Sequence, residues 1–208
     1  MKKVTLLGDS IIDNKSYVQD GEKSVLEHLQ SLSSNLFSQI AFDGDTTHNV
    51  LINQLLSPEI EDSSHIVLSI GGNDLLYNIP VLFEGPHENI NYSLIDIQNR
   101  IVLPLQQSYE TIIEKLSSLG ANLLLCTAYE GDLGRTSEFR GVLDSSKIMV
   151  SALNDIVYKT ANKYQADVLE LRHIFTSSED YANPIEPSHI GGEKLAKAII
   201  KWVEVDET

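Results

Sequence analysis

Met1-Lys2-Lys3-Val4-Thr5-Leu6-Leu7-Gly8-Asp9-Ser10 opens the chain, and its reading decides the fold. Val4, Leu6 and Leu7 form a short apolar run that Gly8-Asp9-Ser10 breaks at once. An apolar run with no clean alternation fits a strand buried on both faces, as in parallel sheets. Such a strand carries a serine hydroxyl to the carboxyl edge of its sheet, where open α/β sheets hold their ligands. A second run repeats the pattern: Ile66-Val67-Leu68-Ser69-Ile70 ends in Gly71-Gly72-Asn73-Asp74.

Outward from these two runs, strands alternate with helical patterns. Val25, Leu26, Leu29 and Leu32 predict a helix over 23–33. A strand is expected over 36–42, ending in the turn Asp43-Gly44-Asp45-Thr46-Thr47, and a helix over 49–56, stopped near Pro58. Residues 77–92, with Pro80, Gly85 and Pro86, read as a loop. Ile97, Ile101, Leu105, Tyr109, Ile112, Ile113 and Leu116 predict a long helix over 94–119, with a kink or broken start at Pro104. Strands are expected over 121–127 and 167–171, and a helix over 145–164 between them. Residues 129–141 read as loop and 172–188 as irregular. Gly191-Gly192 opens a last helix, 193–203. Five strands alternating with helices predict a three-layer α/β fold with a parallel sheet. No boundary divides residues 1–208, so one domain is expected.

Composition narrows the function. The 208 residues are 42% hydrophobic, which suits a globular chain, and carry 15 basic against 30 acidic residues, a net charge of −15. Such a surface repels nucleic acids, anionic membranes and polyanionic substrates. No run approaches the ~20 apolar residues of a membrane span. Lys2 and Lys3 lead into no apolar signal segment, so the expected location is cytoplasmic. The single cysteine, Cys126, follows Leu123-Leu124-Leu125 and reads as a buried hydrophobe. No dinucleotide fingerprint, P-loop or metal-ligand spacing occurs, so neither cofactor nor metal is expected.

In a parallel sheet the turns after the strands share one edge. Ester hydrolysis needs a nucleophile, a base, a group that orients the base, and donors for the oxyanion. Ser10 can attack and His189, an imidazole titrating near neutrality, can take its proton. Glu186, three residues earlier, can orient the ring. The N–H groups of Ser10 and Gly44 and the side-chain amide of Asn73 can hold the oxyanion.

These residues resemble the four blocks of the SGNH hydrolases, also called GDSL esterases and lipases. Gly8-Asp9-Ser10 looks like the first block, Gly44 the second, and Gly71-Gly72-Asn73-Asp74 the third. Glu186-Pro187-Ser188-His189 resembles the family's Asp-x-x-His, with Glu186 in the Asp position and His189 as the His. Ile190 stands where the family often has a proline after its histidine. The resemblance implies a flavodoxin-like α/β/α fold with a five-stranded parallel sheet. It also implies a Ser10–His189–Glu186 triad and a small ester substrate.

Two other readings stand beside it. A binding module on the same fold would keep the pocket without catalysis. Asp43-Gly44-Asp45-Thr46-Thr47 also resembles the Asp-x-Asp-x-Thr motif of haloacid-dehalogenase-type phosphatases, and Gly8-Asp9-Ser10-Ile11-Ile12-Asp13 their acidic Mg²⁺ motif. The two occur in reverse order, and no lysine follows a later strand.

Overall fold

Residues 1–84, 90–135, 141 and 143–205 are described by the computed structural model. The strands are β1 (Lys3–Gly8), β2 (Leu36–Gln39), β3 (His65–Ser69), β4 (Asn122–Cys126) and β5 (Asp167–Leu169). They pair in the order β2-β1-β3-β4-β5, and every pair is parallel. The helices are α1 (Val25–Leu32), α2 (Thr47–Ile52), α3 (Gly72–Tyr77), α4 (Ile90–Ile97), α5 (Leu103–Ser117), α6 (Leu143–Tyr164) and α7 (His189–Val205).

The pleat sorts the apolar runs onto two faces. Val4, Leu6, Val67 and Leu124 pack with Val25, Leu29, Leu195 and Ile199, so α1 and α7 cover one face. Leu7, Ile66, Leu68 and Leu125 pack with Val50, Ile112, Ile113, Leu153 and Val157, so α2, α5 and α6 cover the other. This is the three-layer α/β/α arrangement read from the sequence. Each fully buried Leu, Ile or Val contributes about 1.5–3 kcal/mol, which explains the continuous apolar runs Ile66-Val67-Leu68 and Leu123-Leu124-Leu125. No helix among the described residues is long and apolar enough to cross a membrane.

The differences from the expected elements have local causes. The long helix breaks as expected: α4 ends at Ile97, a π-helical turn covers Gln98–Val102, and α5 starts at Leu103, one residue before Pro104. The wide turn accommodates a proline that lacks an N–H. Helix α3 occupies residues read as a turn and the start of a loop. It is six residues long, too short to show a period. Helix α7 begins four residues before its expected start. Ser188 Oγ accepts from the N–H groups of Ile190 (3.1 Å) and Gly191 (3.2 Å), an N-terminal cap. Gly191 then belongs inside the helix, because a Cβ there would lie 2.2 Å from the Asp180 carbonyl oxygen. The expected loops 77–92 and 129–141 lie partly outside the described residues.

The chain leaves β1 for β2 on one side and returns to β3 on the other. The strand order therefore reverses between β1 and β3, and a crevice opens beyond their carboxyl ends. Ser10 and Asn73 lie just past those two ends.

Candidate active site

Gly8 makes the first turn. Its φ is +133°, and a Cβ there would lie 1.9 Å from the Ser69 carbonyl oxygen on the neighbouring strand. Only glycine fits so close an approach with that backbone. Gln54, buried on the adjoining segment, clamps the same residue. Its Oε1 accepts from Gly8 N–H (2.9 Å), and its Nε2 donates to Gly8 O (2.7 Å) and Asp45 Oδ2 (2.7 Å). Asp9 is buried and accepts from Ile11 N–H through Oδ1 (3.1 Å). Burial holds its carboxyl well above the usual carboxylate range. Asp9 thus shapes the turn that presents Ser10.

Ser10 lines an apolar cavity of about 1070 Å³, counted with its open mouth. Its own N–H donates to no protein acceptor among the described residues. The Gly44 N–H is likewise uncommitted. Gly44 sits at φ +84° in the turn beyond β2 and outside the cavity lining. Asn73 lines the cavity, and its Nδ2 donates one hydrogen to the Asp45 carbonyl (2.9 Å), which orients the amide and leaves its second hydrogen free. Asp74 points the other way. It accepts from Thr47 N–H (3.0 Å) and Thr47 Oγ1 (2.6 Å), tying α3 to the first turn of α2.

The last block divides. Glu186 is 7% exposed and lines the cavity with Ser10. Burial lifts its carboxyl from 4.5 to about 7, opposed by the nearby Ser10 hydroxyl and reinforced by the charge of Asp43. Its Oε2 is buried without a hydrogen-bond partner. His189 lies elsewhere. As the first residue of α7 it is already past the Ser188 cap, and its Nε2 faces Glu22 Oε1 at 3.4 Å with its side chain 41% exposed. It is not among the residues that line the cavity. The structure brings Ser10, Asn73 and Glu186 to one cavity and does not bring His189 there.

The backbone around Glu186 is held from four sides. Asn183 Oδ1 accepts from the N–H groups of Ile185 and Glu186 (2.9 Å each). Glu186 O accepts from Ala182 N–H (2.9 Å). Tyr129 donates its hydroxyl to Ile185 O (2.6 Å). Asn14, fully buried, donates to Pro187 O (3.2 Å) and accepts from Val25 N–H (2.8 Å). Asn14 and Gln54 are the residues that the sequence reading missed. Both act through contacts distant in sequence, and no local pattern marks them.

The phosphatase-like carboxylates are occupied otherwise. Asp43 accepts the Tyr17 hydroxyl on both oxygens (3.0 Å), and Asp45 holds Gln54. Asp13 accepts from Gln39 Nε2 (2.9 Å) and Asp43 N–H (3.0 Å). These acids join the loop after Ser10 to the turn that carries Gly44. Cys126 is buried, and desolvation pushes its thiol up to about 12, which makes it inert core.

Comparison with known proteins bears on the fold and the family. No curated protein sequence matches the chain. Among solved structures, phospholipase A1 from Streptomyces albidoflavus NA297 superposes with a TM-score of 0.71 at 15% identity, covering 96% of this chain and 98% of that one. An acetyl xylan esterase from Geobacillus stearothermophilus gives 0.70 at 14%, covering 96% and 93%. The lipase/acylhydrolase from Enterococcus faecalis gives 0.65 at 18%, covering 99% and 97%. At such identities the likeness is one of fold. The profile of the GDSL-like Lipase/Acylhydrolase family matches residues 6–190. By spacing alone, Asn183-Pro184-Ile185-Glu186-Pro187 matches an Asp-x-x-His-Pro pattern with asparagine at its first position and glutamate at its fourth. The chain belongs to the GDSL-like lipase/acylhydrolase family and, with it, to the hydrolases of carboxylic esters.

Proposed function

We propose that this chain cleaves small carboxylic esters through Ser10 as an acyl-accepting nucleophile. The observation that carries the reading is that Ser10 and Asn73 line one cavity at the reversal of strand order with donors uncommitted, the Ser10 N–H and the free hydrogen of the Asn73 amide, while the Gly44 N–H in the turn beyond β2 is also uncommitted. In the reaction Ser10 Oγ adds to the ester carbonyl carbon, and the carbonyl electrons move to an oxyanion held by those donors. Each such donor is worth about 3–4 kcal/mol of barrier. The alcohol departs, water frees the acid, and Ser10 is restored.

The cavity favours an apolar acyl or alcohol group. Ile70, Leu75, Leu82, Ile101, Met149 and Val150 line it, and burying each methylene against them contributes about 0.8 kcal/mol. The acidic surface and the lone cysteine fit a cytoplasmic enzyme. The test is hydrolysis of p-nitrophenyl esters from acetate to octanoate, with fluorophosphonate labelling read by mass spectrometry. The tag is expected on Ser10, and Ser10→Ala is expected to lose both labelling and turnover. An unchanged rate in Ser10→Ala overturns the reading.

A further inference from the structure

We propose that Glu186, and not a histidine, is the base that takes the proton of Ser10. The inference rests on the ester-hydrolase reading above and names the group that the reading leaves open. A hydroxyl attacks at neutral pH only if a neighbouring group accepts its proton. Glu186 lines the same cavity as Ser10, its carboxyl responds to the Ser10 hydroxyl, and its Oε2 is buried and without a partner. An unpartnered carboxylate oxygen in an apolar wall costs stability, and its retention beside a nucleophile is the pattern of a working base. The backbone that carries it is fixed by Asn183, Tyr129 and Asn14, so the carboxyl is preorganised.

The groups acting on Glu186 are acids and phenols. Asp43 raises its proton affinity, and Glu186 in turn acts on Asp9, Tyr17 and Tyr129. Among the described residues no lysine, arginine or histidine lines the cavity, and a carboxyl there stays a useful base at neutral pH, lifted to about 7 by burial. It then stands where an imidazole stands by its ordinary chemistry. In acylation the Ser10 Oγ–H bond breaks, its proton goes to the Glu186 carboxylate, and Oγ bonds the acyl carbon. The oxyanion collapses, the C–O bond to the alcohol breaks, and Glu186 returns the proton to the departing alkoxide. In deacylation Glu186 takes a proton from water as its oxygen adds to the acyl carbon, then gives it to Ser10 as the acyl–Oγ bond breaks.

The test compares Glu186→Gln, Glu186→His and His189→Gln with the wild type, using p-nitrophenyl butyrate between pH 5 and 9. Glu186→Gln is expected to lower kcat at least a hundredfold, the usual range for a general base. His189→Gln is expected to stay within about threefold of the wild type. Wild-type kcat/KM is expected to rise with pH through about 7, and Glu186→His to recover part of the lost rate with its own profile. Loss in His189→Gln with retention in Glu186→Gln overturns the proposal while leaving the ester reading intact. A wild type that neither hydrolyses any ester of the series nor takes the fluorophosphonate overturns the ester reading, and the proposal with it. Circular dichroism of each variant separates misfolding from lost chemistry, and a folded Glu186→Gln with wild-type kcat is a refutation.

Discussion

Replacing Glu186 by glutamine should make the protein more stable, and more so as the pH rises. The side chain is 7% exposed, and its proton is held up to about 7 against 4.5 in the ordinary state. Below 4.5 both folded and unfolded chains hold the proton, and ionisation costs nothing. Between 4.5 and 7 the unfolded chain releases it first, so stability falls as the pH rises. Above 7 both are ionised and the full cost of a buried charge remains. The gap between the two values corresponds to about 3 kcal/mol, of which about 2–3 kcal/mol develops between pH 5 and pH 8. Glutamine keeps the volume and removes the charge, so the variant escapes this loss. Urea unfolding at the two pH values measures it. With a slope of about 2–3 kcal/mol per molar urea, the midpoint advantage of Glu186→Gln over the wild type should grow by about 1 M from pH 5 to pH 8. An advantage of the same size at both pH values would refute the reasoning, because it would mean that Glu186 ionises as freely folded as unfolded.

Three further outcomes are expected. Asn73→Ala should lower kcat about 100- to 1000-fold while costing stability only about 1 kcal/mol for the hydrogen bond to Asp45 O; a kcat within threefold of the wild type would remove Asn73 from the oxyanion set. Gln54→Ala strips the buried Gly8 N–H of its partner and leaves Gly8 O with the Phe42 N–H alone, and should destabilise by about 1–3 kcal/mol in urea titration; a change below about 0.5 kcal/mol would mean that water replaces the clamp. Cys126 should react with a thiol reagent at pH 8 at least about a thousandfold more slowly in the folded than in the unfolded protein, since its thiol is buried and held protonated; comparable rates would contradict that burial.

The architecture was legible because burial on both faces of a parallel sheet leaves a plain mark. Ile66-Val67-Leu68 and Leu123-Leu124-Leu125 have no polar positions to confuse with a half-exposed strand. Helix α6 declares itself through Met149, Leu153, Ile156 and Val157. Ser10 and Asn73 were readable since each follows such a strand directly. The last block was harder, because its meaning depends on where α7 begins. Taking Gly191-Gly192 as the opening leaves His189 in the loop and free to face the cavity. With Ser188 as the cap, His189 is already helical and turned to Glu22. A glycine pair inside a helix is decided by what packs on it, here the Asp180 carbonyl, and sequence periodicity does not carry that information. The buried amides of Asn14 and Gln54 escaped for a similar reason: each joins segments that meet only after the sheet has formed.

The loop after Ser10 has a consequence for how this protein breathes. Asp13 and Tyr17 hold the Asp43 turn, and Asn14 holds both the start of α1 and the Pro187 carbonyl. The turn that carries Gly44, the start of α1 and the segment after Glu186 are thus fastened to one short piece of chain. Such a piece cannot loosen at one attachment without weakening the others. The amides of Asp43 and Val25, which donate to Asp13 and Asn14, should therefore exchange with deuterium at a common rate, as one cooperative unit. A fluctuation that disarms the enzyme would disarm it whole, leaving no half-assembled site exposed to stray chemistry.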